Sequence, residues 1–286
     1  MEDYGILYLV ATPIGNLEDM TYRAVRILNE VDLIAAEDTR NSIKLLNHFE
    51  IHTKMTSYHE YNKIEKAIKL IEILKSGKNI ALITDAGMPG ISDPGEDLVR
   101  MCHENNVDVT VVPGASASVS ALALSGLPSR RFVFEGFLPT EKKEVEIVLN
   151  RLKDETRTII LYEAPHRLKK TLNRLFQSLG DRKVSICKEI TKKYENVMVT
   201  YLSEALGFYE DNTPKGEYVL VISGRDEKEI EDESREVFLT MSIDEHMDMY
   251  LNKGMDKKAA MKQVAKDRGV GKREIYQELI KSDDSR

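Results

Sequence analysis

The fold is decided by the stretch Leu82-Ile83-Thr84-Asp85-Ala86-Gly87-Met88-Pro89-Gly90-Ile91-Ser92-Asp93-Pro94-Gly95. It begins as an apolar run typical of a buried strand, continues as a loop rich in glycine and proline, and leads into a helical pattern over residues 96–105. In an open parallel sheet, ligands bind outside the carboxyl ends of the strands, and a following helix offers free N–H groups. Glycines let a ligand approach the backbone closely. The stretch therefore predicts a binding loop, with a tight strand-to-helix turn that binds nothing as the alternative.

Strands alternate with helices on both sides of this loop. Apolar segments at residues 5–11, 33–36, 51–57 and 107–112 are each followed by a helical pattern. This alternation predicts right-handed crossovers and a mainly parallel sheet, so the motifs that follow the strands should share one sheet edge. We assign residues 1–127 to an N-terminal α/β domain.

The pattern changes after residue 131. Strands are predicted at residues 132–137, 158–163, 183–190, 197–201 and 216–223, with helices near 141–153 and 165–179. The last three strands are close enough in sequence to be antiparallel neighbours, which indicates a mixed sheet. Residues 132–224 are therefore assigned to a second α/β domain.

The C-terminal part has a distinct charge pattern. Residues 225–236 hold seven acids and three bases, a composition typical of a solvated linker, which we place at residues 225–241. Residues 242–286 are predicted to form a basic helical module, because residues 253–281 hold nine Lys or Arg and four acids. Two short helices around a glycine-bearing turn are similar to a helix-turn-helix. A basic two-helix cap packed on the body is the alternative.

Composition excludes several classes of protein. The net charge of −7 leaves no general polycation, so nucleic-acid binding would need a local basic patch. The two cysteines are far apart in sequence and form no metal or redox motif. No apolar run reaches the ~18 residues that indicate a membrane span. We expect a cytoplasmic protein that binds no metal and does not enter a membrane.

Six motifs occur in a fixed order: residues 10–17 (VATPIGNL), 37–40 (EDTR), 85–95, 112–114 (VPG), 163–167 (EAPHR) and 215–217 (KGE). Together they resemble the tetrapyrrole methylase superfamily, most closely its bacterial members that methylate the ribose 2′-hydroxyl of a cytidine in 16S ribosomal RNA. The resemblance runs from about Leu7 to Ser223. It implies a class III methyltransferase-like α/β enzyme that binds S-adenosylmethionine in a cleft between two domains. It also implies ribosomal RNA or the small ribosomal subunit as partner, and a homodimer.

The resemblance also implies which residues contact the cofactor. They follow strands of the first domain or close the site from the second: Pro13, Ala86, Gly87, Met88, Ile91, Ser116, Ala117, Tyr162, Glu163, Gly216 and Glu217. The family pattern commonly has an arginine where this chain has Lys188, so no role is assigned to that residue.

Methylation of a hydroxyl is helped by a group that accepts its proton. Candidates are Glu37, Asp38, His59 and Glu189, and Arg40 could hold a phosphate beside the ribose. For Glu37 and Asp38 the alternative is structural, because the helix dipole favours acids in the first turn of a helix. For His59 the alternative is a loop histidine that is hydrogen-bonded to backbone.

Three functions remain open from the sequence: RNA ribose methylation, methylation of a small tetrapyrrole-type molecule, and non-enzymatic, nucleotide-sensing DNA binding. A small-molecule enzyme has no use for a basic terminal module, whereas a DNA binder needs a recognition helix that reaches base edges.

Overall fold

The computed structural model describes residues 4–283, which fall into two compact units. The main unit contains the residues up to Asn150 together with Arg157–Ser223. The C-terminal unit contains Arg151–Thr156 and the residues from Gly224 onward. None of the described helices is both long and apolar enough to cross a membrane.

The first sheet of the main unit is parallel throughout, as the alternation of strands and helices predicts. Its strands lie in the order β3-β2-β4-β1-β5. Their bounds are β1 (Leu7–Val10), β2 (Leu33–Ala36), β3 (Met55–Ser57), β4 (Ile80–Ile83) and β5 (Val109–Val112). Strand β4 is buried along its whole length, because helices cover both faces of a parallel sheet.

The helices of this half are α1 (Tyr22–Glu30), α2 (Thr39–His48), α3 (Lys63–Lys75), α4 (Gly95–Glu104) and α5 (Ala117–Ser125). Helix α1 is preceded by a 3-10 turn at Leu17–Asp19. Asn16 caps that turn, and Thr21 then caps α1 by accepting the Ala24 N–H.

The second sheet is mixed, as predicted. Its strands are β6 (Phe132–Phe137), β7 (Thr158–Glu163), β8 (Lys183–Lys188), β9 (Asn196–Tyr201) and β10 (Tyr218–Ile222), in the order β6-β7-β10-β8-β9. Only the β6–β7 pair is parallel among these neighbours. The helices are α6 (Lys142–Leu152), α7 (Pro165–Leu179) and α8 (Leu202–Asp211).

Helix α5 joins the two halves of the main unit. It follows β5 of the first sheet but packs against β7, β8 and β10 of the second. Ala121 and Leu122 share a buried cluster with Ile160, Val219 and Val221. The alanine-rich sequence allows this packing, because small side chains let a helix lie close to a sheet.

The C-terminal unit is helical: α9 (Glu227–Thr240), α10 (Ile243–Leu251), α11 (Lys257–Arg268) and α12 (Lys272–Asp283). The acidic segment that its composition assigns to a linker is therefore largely a helix. It is held by Asp226, which caps α9, by Arg225, which pairs with Asp154 and Glu233, and by Phe238, which stacks on the buried His246 ring. Between α11 and α12 the chain turns at Gly269, whose φ of +64° ends α11.

Candidate active site

A cavity of about 430 Å³ lies between the carboxyl ends of the first sheet and the second sheet of the main unit. Its volume is within the ~300–1,000 Å³ typical of small-molecule sites. Its lining is mostly apolar with a few polar groups: Ile14, Ala86, Gly87, Met88, Ile91, Ser92, Ser116, Ala117, Phe137, Tyr162, Glu163, Ala164, Pro165, Cys187, Ile190, Lys192, Glu217, Tyr218 and Val219. We call this the first cavity.

The loop after β4 is held rigidly at the first cavity. Gly87 and Thr12 exchange two backbone hydrogen bonds of 2.9 and 3.1 Å. The Asp93 carboxylate accepts the N–H groups of Gly90, Ile91 and Gly95 at 2.8 to 3.1 Å. A rigid loop of this kind presents backbone to a ligand without further ordering.

Gly87 fits a site that holds a bound molecule against its backbone. Its φ is +84°, a conformation that residues with a side chain rarely adopt, and an added Cβ would stand 3.3 Å from Ile14 Cγ2. Ser92, a non-glycine residue that lines the same cavity, also has a positive φ, of 65°. Such strained backbone concentrates at functional sites.

Most of the predicted cofactor residues line the first cavity: Ala86, Gly87, Met88, Ile91, Ser116, Ala117, Tyr162, Glu163 and Glu217. Pro13 and Gly216 do not. Pro13 lines an adjoining cavity. At Gly216, φ is +81° and an added Cβ would meet the Glu189 carboxyl carbon at 2.5 Å, so this glycine serves the packing of a turn.

Tyr162 and Glu163 are fixed by hydrogen bonds that explain their places in the motifs. The Tyr162 hydroxyl accepts the Ser118 N–H of α5 at 3.2 Å, which connects the second sheet to the start of that helix. The buried Glu163 carboxylate accepts the Thr171 hydroxyl and the Ala164 N–H and lies 3.4 Å from Arg167 Nε. The EAPHR motif is thus an internally bonded corner at the start of α7.

A second cavity of about 350 Å³ adjoins the first. It is lined by Pro13, Ile14, Gly15, Leu17, Asn41, Lys44, Leu45, Asp85, Ala86, Lys192 and Glu217. Ile14, Ala86, Lys192 and Glu217 line both cavities, so a molecule in one lies next to a molecule in the other. This pair of cavities can bring two reactants together.

Lys192 is the cation between the two cavities. Its Nζ lies 2.7 Å from Glu217 Oε2 and 3.1 Å from Glu189 Oε1. Burial acts to lower the pKa of Lys192, but the two carboxylates outweigh it and raise that pKa, so the side chain is an ammonium ion. Its aliphatic stem crosses Gly15, where an added Cβ would meet Lys192 Cγ at 2.4 Å.

The four predicted proton acceptors line neither cavity. Glu37 accepts the Thr84 hydroxyl and, at 3.4 Å, the Asp85 N–H. Asp38 caps α2, and its hydrogen bonds to Arg40 lower its pKa to about 2. Burial acts to raise the pKa of Glu189, but the Glu217 N–H and Lys192 hold it below its ordinary value.

His59 and Arg40 also stand apart from the cavities. His59 follows β3, which is the edge strand of the first sheet, and contacts Asn62. Arg40 Nη2 is paired with Asp38 Oδ2 at 2.7 Å, although most of its side chain is exposed. It remains a candidate for phosphate binding at the surface.

The second cavity is also lined by three residues that were not predicted as site residues from the sequence: Asp85, Asn41 and Lys192. Asp85 belongs to the opening stretch, where the glycines drew attention to the backbone instead. Burial raises the pKa of Asp85, and the charges of Glu37 and Asp38 act in the same direction. Its Oδ2 accepts the Asn41 side-chain N–H at 3.1 Å.

The C-terminal unit presents a row of exposed lysines. Lys258, Lys262 and Lys266 are spaced four residues apart on α11, and all three are exposed. Within the part of the chain that the structure describes, none of the three forms an ion pair. Nearby acids serve structure instead: Asp256 caps α11, and Asp267 accepts the Tyr250 hydroxyl.

Comparison with known proteins identifies the class. Residues 6–206 match the family Tetrapyrrole (Corrin/Porphyrin) Methylases. A uroporphyrin-III-C-methyltransferase from Thermus thermophilus shares the fold with a TM-score of 0.55 at 19% identity, covering 77% of this chain and 94% of that one. A diphthine synthase does so with a TM-score of 0.60 at 17% identity, covering 77% and 89%.

The chain therefore belongs to the tetrapyrrole methylase family, as its motifs predict, and is an S-adenosylmethionine-dependent methyltransferase. Among its relatives are proteins named "Ribosomal RNA small subunit methyltransferase I". The one from Halalkalibacterium halodurans is 51% identical over 276 residues, covering 96% of this chain and 94% of its own length. The one from Bacillus subtilis is 48% identical over 274 residues, with coverage of 96% and 94%. Membership in a family of methyltransferases argues against the non-enzymatic DNA-binding hypothesis.

Proposed function

We propose that this chain methylates the ribose 2′-hydroxyl of a cytidine in 16S ribosomal RNA. The observation that carries the proposal is the likeness, over nearly the full length, to relatives named ribosomal RNA small subunit methyltransferase I. The second cavity is consistent with it, because it places an open, partly charged space for an acceptor beside the first. The solved neighbour that acts on a tetrapyrrole is only 19% identical, so it supports the fold alone.

S-adenosylmethionine supplies an activated methyl group, so the protein contributes mainly alignment, with reacting atoms held ~3–3.5 Å apart. We assign its binding to the rigid loop after β4 and to Ser116 and Ala117 at the start of α5. Ile14, Met88 and Val219 contribute apolar lining to the first cavity. Lys192, charged and located between the cavities, can hold a phosphate or ribose oxygen of the acceptor.

The C-terminal unit is assigned to RNA binding. Its exposed row of lysines has no ionic partner among the described residues, and RNA phosphates would provide one. The acidic charge of the rest of the chain makes such a local patch necessary.

We further expect a homodimer acting in the cytoplasm, where ribosomal subunits are found. Helix α5 leaves apolar side chains uncovered, with Val119 56% and Leu124 45% exposed. An uncovered apolar face of this kind suits a twofold dimer, in which the same patch of both subunits meets.

The test is methyl transfer by the purified full-length chain. Radiolabelled S-adenosylmethionine is incubated with small ribosomal subunits, or with free 16S RNA, from a strain that lacks this protein. Label should enter the RNA, and mass mapping should place it on one ribose of a cytidine. A uroporphyrinogen substrate is run in parallel. Label in the tetrapyrrole and none in RNA would establish the small-molecule alternative.

A further inference from the structure

A ribose hydroxyl is a poor nucleophile, and a positioned carboxylate that accepts its proton accelerates such reactions by about 10²–10⁴-fold. The second cavity is lined by two carboxylates, Asp85 and Glu217. Glu217 is engaged with the Lys192 ammonium at 2.7 Å. Asp85 forms no ion pair with any residue that the structure describes, and its Oδ2 accepts the Asn41 side-chain N–H.

We propose that Asp85 accepts the proton of the hydroxyl that is methylated, an inference that rests on the proposed methylation of ribose. Asp85 lines the second cavity, and the next residue, Ala86, lines both cavities. Asp85 is therefore next in sequence to a residue at the place where the two cavities meet. In the reaction the hydroxyl oxygen forms a bond to the methyl carbon. The bond from that carbon to sulfur breaks, and its electron pair stays on sulfur. The hydroxyl proton passes to the Asp85 carboxylate, which later releases it to water.

The surroundings hold Asp85 in place and keep it basic. Its backbone N–H donates to Glu37 Oε2, which also accepts the Thr84 hydroxyl, so the end of β4 is fixed to the end of β2. Partial burial raises the pKa of Asp85, and the charges of Glu37 and Asp38 reinforce this effect. A carboxylate with a raised pKa retains a proton more strongly than an ordinary aspartate does.

Cations lie near Asp85 as well as carboxylates. Arg40 is largely neutralised by Asp38, with which it is paired at 2.7 Å. Lys44 lines the same cavity from α2, and Lys192 faces it from the second sheet, where Glu189 and Glu217 partner it. The Asn41 side-chain hydrogen bond and a backbone hydrogen bond from Asp38 act in the opposite direction to burial and lower the Asp85 pKa.

The test compares full-length Asp85→Asn with the wild-type chain at saturating RNA and cofactor in single-turnover assays. Asparagine has the same shape and can still accept from Asn41. We expect the rate of methyl transfer to fall about 10²–10⁴-fold while S-adenosylmethionine affinity, measured by calorimetry, is unchanged. Asp211→Asn is the control, because this exposed aspartate at the end of α8 lines neither cavity and loses the same charge.

The dependence of the rate on pH distinguishes proton transfer from a structural role. The wild-type rate should rise with pH until Asp85 is ionised, and Asp85→Asn should lack this rise. Asn41→Ala removes a hydrogen bond that stabilises the carboxylate, so it should move the rise to higher pH. A wild-type-like rate and pH profile in Asp85→Asn would overturn the inference while leaving the proposed function intact. Absence of methyl transfer to RNA by the wild-type chain would refute the proposed function, and the inference with it.

Discussion

The lysine row on α11 yields a quantitative prediction about RNA binding. The perturbation is the triple substitution Lys258→Gln, Lys262→Gln and Lys266→Gln. These side chains are exposed, and the face of α11 opposite them carries the buried Ala260 and Val264. Glutamine has a helix propensity close to that of lysine, so the helix and its packing should persist. The substitution therefore removes charge and little else.

The magnitude follows from counterion release. Each phosphate contact contributes about −0.7 to the slope of log affinity against log salt on a single strand, so three contacts contribute about −2. Between about 50 and about 200 mM salt, the wild-type chain should then lose about 20-fold more affinity than the triple variant. Affinity for S-adenosylmethionine should not change, because the lysines lie outside the main unit.

The assay is fluorescence anisotropy with a labelled fragment of 16S RNA, titrated at several salt concentrations. The matched control neutralises three exposed lysines on separate helices of the main unit: Lys75, Lys142 and Lys170. It changes the net charge equally. A slope that flattens as much in the control as in the triple variant, or in neither, would refute the assignment of RNA binding to the C-terminal unit.

Four further results are expected. Gly87→Ala should weaken S-adenosylmethionine binding about tenfold in calorimetry, because overpacking costs about 1–3 kcal/mol, whereas Gly126→Ala, with positive φ but open space, should not. Gly216→Ala should lower the free energy of unfolding in urea by about 2–4 kcal/mol, because the added Cβ strains the left-handed backbone and displaces the hydrogen-bonded Glu189 side chain. A loss of stability equal to that of Gly126→Ala would contradict the role of Gly216 in packing against Glu189. Burial, and then the Arg268 charge, lower the pKa of His246, so His246 binds a proton more readily in the unfolded chain and the free energy of unfolding should fall as pH drops below about 6.5. His246→Gln should remove this pH dependence, and an unchanged pH profile of stability in the variant would contradict the role of His246. Light scattering should give twice 32.6 kDa for the proposed homodimer, and a mass of 32.6 kDa would exclude it.

The architecture was predictable because it depends on local patterns. Apolar runs such as residues 80–83 followed by helical periodicity require parallel strands, whatever their order in the sheet. The loop after β4 was likewise predictable, since backbone with positive φ, such as the +84° of Gly87, strongly favours glycine. What these residues have in common is that their conformation is determined by their immediate neighbours in sequence.

The candidate proton acceptors were harder to predict because they depend on strand order and pairing. His59 follows a strand, but β3 is at the sheet edge, away from β1 and β4, and only the folded sheet shows this. Asp38 is engaged as a helix cap and with Arg40. Asp85 and Lys192 are more than a hundred residues apart in sequence and meet only across the second cavity.

The acidic segment at residues 225–241 shows that composition alone does not predict whether a segment is helical. Its charge indicates solvation, and most of α9 is indeed exposed. A single aromatic contact, Phe238 on the His246 ring at 4.4 Å, together with the ion pairs of Arg225, fixes the helix. An average over the segment cannot reveal one such contact.

The position of α5 has a consequence for synthesis of the chain on the ribosome. By the time Ser125 has emerged, every strand of the first sheet has been made, yet Ala121 and Leu122 must wait for Ile160 and Val219 before their apolar surface is covered. The nascent N-terminal half is therefore an incomplete folding unit that exposes a hydrophobic helix while translation continues. Chaperones that bind nascent hydrophobic segments should engage it in this interval. Release should follow once β10 has emerged and inserted between β7 and β8.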